Sequence, residues 1–130
     1  MNIGPHTNLV IASLWLLLSF LSGLFSGLNF HKDDWQGGYA SFNRRLYRLA
    51  HISYFGLGTV NFIYYSIATR ASFSPLDESI ASWGFAIGAI TMPLCCYLMA
   101  HNKRLTGIFA VPVLSLITAA SITLLEVLTQ

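Results

Sequence analysis

Four long apolar stretches dominate this sequence, at residues 7–30, 46–69, 82–101 and 106–128. Each is close to the ~20 residues that a helix needs to cross the hydrocarbon core of a bilayer. Backbone amides surrounded by lipid must be hydrogen-bonded within their own segment, and these stretches lack the alternating pattern of a barrel strand. The sequence therefore predicts an all-α integral membrane protein, in which residues 1–130 form one bundle of four antiparallel transmembrane helices.

The composition favours a membrane protein over a soluble domain. Of the 130 residues, 55% are hydrophobic and only 9% are charged, whereas soluble domains carry about 25% charged residues. The first apolar stretch is longer than the core of a secretion signal and follows a segment without Lys or Arg, so we expect it to be retained as a span. Cys95 and Cys96 are adjacent within an apolar run, which argues against a disulfide framework.

Basic residues are concentrated in two of the three connections between the stretches. They are Lys32, Arg44, Arg45 and Arg48 in or beside the first connection, and Lys103 and Arg104 in the third. The positive-inside rule places these two connections in the cytoplasm, or in the matrix or stroma of an organelle, and both termini outside. The expected location is a bacterial or organelle inner membrane. Anionic lipid headgroups account for the arginines, so membrane lipids are expected partners and nucleic acid is not.

Local signals predict where one helix begins and where two helices bend. Ser74, Pro75 and Asp77 match a helix start with Ser as the cap, Pro first and an acid third. The third helix should therefore begin before its apolar stretch does. Pro93 and Pro112 should each kink their helix, because proline removes one backbone hydrogen bond.

Small residues form a ridge along the first helix. They are Ser19, Gly23 and Gly27 at spacings of four, with Ser22 and Ser26 beside them. Such ridges allow close approach of another helix in the membrane. We interpret this ridge as the packing face of the helix.

Polar residues form a stripe along one face of the second helix. They are Arg44, His51, Tyr54, Gly58, Asn61 and Tyr65, at spacings of seven, three, four, three and four. Polar side chains are costly to expose to lipid. The stripe should therefore face the bundle interior, a partner subunit or a bound group.

Histidines near the cytoplasmic ends of the helices suggest a haem. They are His31, His51 and His101. Imidazole is the usual axial ligand of haem iron, and helical bundles supply ligand pairs from facing helices. His51 and His101 are therefore a hypothetical axial pair for haem b, with Gly58 leaving room for the porphyrin. The haem propionates would pair with Arg44 and Arg48, and with Arg45, Lys103 and Arg104.

Simpler interpretations of the same residues stay open. His51 can hydrogen-bond within the bundle while His31 and His101 are hydrated at the interface, and a metal other than haem iron is a further option. Met92, Cys95, Cys96 and Met99 share a face of the third helix, as a Cu(I) site would require. Methionine and cysteine are also ordinary fillers of apolar interiors.

These observations lead to three hypotheses about function. The first is a structural or accessory subunit of a larger membrane complex, one of electron transport, that contacts partner subunits or a second copy through the ridge and the stripe. The second is a haem-binding electron carrier that exchanges electrons with a membrane quinol. The third is a copper-handling protein. No nucleophile beside a base and no metalloprotease motif is found in the sequence, so we expect no catalytic activity of its own.

Overall fold

The structure, a computed structural model, describes residues 3–129 and is built from helices throughout. The four α-helices are α1 (Pro5–Asn29), α2 (Phe42–Ala68), α3 (Pro75–His101) and α4 (Ala110–Leu128). Short 3-10 segments at Trp35–Gly37 and Lys103–Phe109 lie in the first and third connections. No strand occurs within residues 3–129, and the predicted all-α fold class is confirmed.

Serine caps define the starts of α2 and α3. The Ser74 hydroxyl accepts a hydrogen bond from the backbone amide of Asp77 at 3.2 Å, which confirms the predicted start of α3. Ser41 caps α2 in the same way, by accepting from the Arg44 amide at 3.1 Å. Because of this cap, α2 begins at Phe42, before the apolar stretch, and Arg44 lies within its first turn.

The fourth apolar stretch is not one continuous α-helix. Its first residues lie in the 3-10 segment, where Leu105 departs from helical geometry with φ −82° and ψ 15°. Pro112 then lies in the first turn of α4. Backbone N–H groups there have no acceptor within the helix, so a proline costs no hydrogen bond. The expected kink inside this helix is therefore replaced by a change of helix type before it.

Three helical segments are long and apolar enough to cross a membrane. Within residues 3–129 these are α1, α3 and the continuous stretch Lys103–Leu128. Helix α2 is as long as α3, but it is the more polar of the two, because His51, Asn61 and several tyrosines lie within its apolar stretch. It therefore does not meet the same criterion of length and composition, and four spans are not established.

The helices form a three-helix core with α4 on one side. Helix α1 packs on α2 and α3, while α4 packs mainly on α3 and on the 3-10 segment before it. Helices α3 and α4 approach each other closely at Gly84, where an added Cβ would lie only 2.7 Å from the Ala119 Cβ. One core cluster lies where α2, α3 and α4 meet, and includes Tyr64, Phe85 and Ala119.

The two cationic connections lie at the same end of the molecule, which we call the cationic end. Lys103 Nζ lies 5.1 Å from the centre of the Phe42 ring, at the start of α2. A second core cluster of Leu46, Met99 and Ala100 closes this end. At the opposite end Asp77 and Glu126 border one small pocket. The charge asymmetry seen in the sequence is thus an asymmetry between the two ends of the folded chain.

Candidate functional site

The polar stripe of α2 faces α1. The contacting pairs, in order along the two helices, are Ser22 with His51, Trp15 with Tyr54, Ala12 with Gly58, and Asn8 with Asn61. Most of the small-residue ridge lies at the same interface, since Ser19 and Ser26 are buried and Gly23 lies against the His51 ring. Gly27 does not, because it is exposed and a Cβ there would have no neighbour within 4 Å. The two faces that the sequence assigned to a partner subunit are therefore largely the faces that α1 and α2 present to each other.

A buried polar cluster of Asn8, Asn61, Tyr64 and Ser82 joins the three core helices. Asn8 Nδ2 donates to Asn61 Oδ1 at 2.8 Å and to the Ser82 carbonyl at 3.2 Å. The Tyr64 hydroxyl lies 3.0 Å from the Ser82 hydroxyl. All four side chains are at most 1% exposed. Because its members are neutral amides and hydroxyls in mutual contact, the cluster orients the helices and offers no acid–base pair.

His51 is held by α1 and borders an open groove. Ser22 Oγ lies 2.9 Å from His51 Nδ1 and also donates to the Ser19 carbonyl at 3.0 Å. A hydroxyl has one proton to donate. With that proton on the Ser19 carbonyl, the Ser22 oxygen accepts from the Nδ1 tautomer of His51, an arrangement that leaves Nε2 with its lone pair. The groove has a volume of about 460 Å³ and is lined by Ser19, Phe20, Gly23, His51, Ile52 and Phe55.

The space beside Gly58 is already filled by α1. A Cβ at Gly58 would lie 3.2 Å from the Trp15 Cβ and 3.3 Å from the Ala12 carbonyl oxygen. The glycine is needed for this close approach of two helices. The space beside Gly58 that the haem prediction assigns to a porphyrin is occupied here by Trp15 and Ala12 of α1.

The structure separates the other residues of the predicted haem site. His101 is exposed at the end of α3 and is not among the residues that line the groove beside His51. Arg44 and Arg48 do come together, because both guanidinium groups lie near the Tyr39 ring, at 5.4 and 4.7 Å from its centre. This pair lies in the first turns of α2, against the first connection, and does not line the groove.

The sulfur-bearing residues of α3 are packed in the interior. The Cys95 thiol lies 3.5 Å from the Ile108 carbonyl oxygen, toward the 3-10 segment. Met99 packs against Leu46 of α2, and Cys96 is fully buried. In the part of the chain that the structure describes, no three His, Cys, Asp or Glu side chains are placed to hold a metal ion.

Comparisons with protein-family models, with curated proteins and with solved structures find no match to this chain. Its fold and surfaces therefore carry the functional argument alone. They describe an all-helical protein whose helices include three with the length and composition of membrane spans. The His51 imidazole beside the groove is an arrangement suited to ligation.

Sequence reasoning missed two features of the interior. Asn61 is part of the predicted stripe, but its partner Asn8 in the first turn of α1 was not recognised. The available signal was spacing, because Asn8 continues the face of Ser19, Ser22 and Ser26 through Ala12 and Trp15 at intervals of three and four. The sequence predicts that Arg44 binds a lipid headgroup or a haem propionate. It does not show that this side chain is buried, with only 3% of its surface exposed. The signal for its burial was the aromatic content of the first connection, which supplies Trp35 and Tyr39.

Proposed function

We propose that this chain is a small integral membrane protein, with all four helices crossing the bilayer, that acts as an accessory subunit of a larger membrane complex. Helix α2 lies between α1 and α3 and has their length. Its arginines are confined to its first turns, so residues 49–68 remain as an apolar segment close to the ~20 residues that a span needs. The His51 and Asn61 side chains within it are bonded to α1 and not turned to lipid.

The cationic end belongs on the cytoplasmic, matrix or stromal side in this proposal. Six of the seven Lys and Arg residues lie in or beside the connections at that end, and the positive-inside rule assigns such connections to the inner compartment. Asp77 and Glu126 would then lie on the outer side, together with both termini.

The observation that carries the accessory role is an apolar cleft between α2 and α4. It exists because α4 packs mainly on α3 and leaves its flank toward α2 uncovered. The cleft has a volume of about 350 Å³ and is lined by Val60, Ile63, Tyr64, Ile67, Phe85, Ala120, Thr123, Leu124 and Val127. Helices in membranes associate by close packing of complementary surfaces, and a membrane helix of a partner subunit fits such a cleft.

Site-specific photocrosslinking tests this assignment. A photoreactive residue at Leu124 lies in the cleft, whereas one at Leu114 lies on the other flank of α4. Both leucines are exposed to a similar extent, Leu124 at 58% and Leu114 at 63%. We expect Leu124 to give an adduct with one defined membrane protein that also co-purifies in mild detergent, and Leu114 to give lipid adducts only.

Two results would contradict the accessory role. One is equal crosslinking from Leu124 and Leu114, which would mean that the cleft is not a specific contact. The other is a chain that runs as a monomer in every mild detergent and crosslinks only to lipid. If the partner is identified, its own cofactors decide whether the complex belongs to electron transport.

A haem-binding electron carrier is the second candidate, and the state of His51 favours it. Ligating histidines usually donate their second ring N–H to a fixed acceptor, which sets the tautomer. The Ser22 hydroxyl does this for Nδ1 and leaves Nε2 as the ligating atom. The groove beside it is bordered by apolar side chains of Phe20, Ile52 and Phe55.

An absorption spectrum of the purified protein tests this candidate. A haem carrier should show a reduced b-type band that is lost in His51→Ala, and also in His101→Ala if the predicted axial pair is correct. A colourless protein, or a band that survives His51→Ala, would contradict it. Loss with His51→Ala but not with His101→Ala would assign His51 as ligand and refute the pair.

A further inference from the structure

Arg44 is a buried cation enclosed by aromatic rings. Its side chain is 3% exposed, and its guanidinium carbon lies 5.7, 5.4 and 5.4 Å from the ring centres of Phe30, Trp35 and Tyr39. Cation–π contacts of this kind offset part of the cost of removing the charge from water. We call these three rings and the guanidinium group the Arg44 cage.

The Arg44 cage leaves most of the guanidinium donors without acceptors. Nη2 donates to the Phe30 carbonyl oxygen at 3.2 Å, and this is the one side-chain hydrogen bond of Arg44 within residues 3–129. Nε is completely buried and has no partner there. A guanidinium group has five N–H donors, and a buried charge without a counter-charge is costly.

A second cation lies one helical turn further along α2. Arg48 is half-buried and its guanidinium carbon lies 4.7 Å from the Tyr39 ring centre. Residues four apart on a helix are neighbours, with about 6 Å between their Cβ atoms. Two positive charges at this spacing repel each other, and no hydrogen bond joins either guanidinium group to Asp33 or Asp34 of the first connection. The site therefore has both the donors and the excess charge that a bound anion requires.

From this geometry we propose that Arg44 and Arg48 form a binding site for the phosphate group of an anionic phospholipid. The Tyr39 ring covers this site on the side of the solvent. Phosphate accepts two parallel hydrogen bonds from one guanidinium group and is shared readily between two. Tyr39 is the exposed wall of the Arg44 cage, at 70% exposure, so its ring is the one that turns aside for the phosphate to reach Arg44.

The surroundings of the site favour a lipid over a free phosphate ion. Trp35 stacks edge-on against Phe25 of α1 at 6.1 Å, and Phe25 and Leu28 are 52% and 64% exposed. These apolar side chains continue from the Arg44 cage along α1, where the acyl chains of a bound lipid would lie. Aromatic residues at this depth are also typical of the membrane interface. The site does not depend on what occupies the α2–α4 cleft.

Lipid retention in native mass spectrometry tests the proposal. The full chain, purified in detergent, is incubated with equal amounts of phosphatidylglycerol and phosphatidylcholine. We expect preferential retention of phosphatidylglycerol, weakened about tenfold in Arg48→Gln and at least as much in Arg44→Gln, because each loses a charge-assisted pair. Arg45→Gln is the matched control: it removes the same charge from the same turn of α2, but Arg45 is exposed and lies outside the Arg44 cage. Its effect should stay within about twofold.

The outcomes separate a built site from general charge attraction. Equal weakening by Arg45→Gln and Arg48→Gln, or no preference for phosphatidylglycerol, would overturn the proposal. Displacement of the lipid by millimolar inorganic phosphate would assign the site to free phosphate and overturn the lipid assignment. Because Arg44 is buried, Arg44→Gln can impair folding, and Arg48→Gln then decides the question by itself.

Discussion

The α3–α4 contact allows a sharp test, because three glycine-to-alanine substitutions of identical chemistry should have three different effects on stability. At Gly84 the new Cβ would lie 2.7 Å from the Ala119 Cβ and 3.0 Å from the Ser115 carbonyl oxygen. Carbon atoms in contact prefer about 3.5–4.0 Å. Neither neighbour is the end of a flexible side chain, so α4 must move away from α3.

The expected cost follows from two opposing terms. Alanine improves helix propensity over glycine by up to about 1 kcal/mol, whereas overpacking typically costs about 1–3 kcal/mol. The shift also stretches the hydrogen bond from the Ser115 hydroxyl to the Gly84 carbonyl, which is 2.5 Å long. We expect Gly84→Ala to lower the free energy of unfolding by about 1–2 kcal/mol.

Gly88 and Gly56 provide the comparison. A Cβ at Gly88 would overlap the Leu116 side chain, and a leucine can change rotamer, so Gly88→Ala should lower the free energy of unfolding less than Gly84→Ala does. At Gly56 nothing lies within 4 Å, so Gly56→Ala should stabilise by roughly 0.5–1 kcal/mol.

The assay combines global stability with a local readout. Unfolding in mixed detergent micelles gives the free energies, and two spin labels at Ile87 and Leu114, which border one groove between α3 and α4, report on that contact. A label pair at Phe20 and Phe55 on α1 and α2 is the reference. Because α4 packs mainly on α3, Gly84→Ala should separate the first pair and leave the second unchanged. Equal stability changes at all three glycines, or stabilisation by Gly84→Ala, would refute this account of the contact.

Three further predictions concern the polar interior and the orientation. A double-mutant cycle of Asn8→Ala and Asn61→Ala should give a coupling free energy of about 0.6–1.7 kcal/mol in unfolding measurements, and zero coupling would contradict the bond between them. Asn29→Ala is the control, because its amide bonds only to Phe25 and Lys32, which are close to it in the chain, and makes no bond to α2. If haem is bound, Ser22→Ala should shift its absorption band or potential without abolishing binding, and an unchanged spectrum would contradict the role assigned to Ser22. An impermeant maleimide added outside intact cells should label a cysteine placed at Ser72 in the second connection. A cysteine placed at Gly107 in the third connection should be labelled only after permeabilisation. The reverse pattern would contradict the proposed orientation.

Some elements of the fold were predictable because their signals are local. The Ser74 cap and the proline after it predicted the start of α3, since both act within one helical turn. The same kind of signal at Ser41 was not recognised, so no start was predicted for α2, which begins at Phe42, four residues before its apolar stretch. Pro112 was expected inside a helix because hydropathy does not distinguish an α-helix from the 3-10 segment that precedes it.

The candidate site was predicted less well, because a site depends on which helices meet. Periodicity placed His51 and Gly58 on one face of α2, and that placement agrees with the structure. It could not show that this face meets α1, where Trp15 fills the space that a porphyrin would need. The distance between His51 and the end of α3 likewise depends on how each helix is oriented about its own axis when the helices pack.

The sequence by itself determined an all-helical chain with positive charge at one end, because hydrophobic length, helix caps and charge are properties of short segments. Only the tertiary structure decided that the ridge of α1 packs on the stripe of α2. It also decided that α4 packs on α3 with an open cleft toward α2, and that aromatic rings of the first connection enclose Arg44. The physical reason is that a repeat of 3.6 residues defines the face of a helix but not its neighbour. The neighbour is selected by close packing and hydrogen bonds between residues far apart in the chain, such as Asn8 and Asn61.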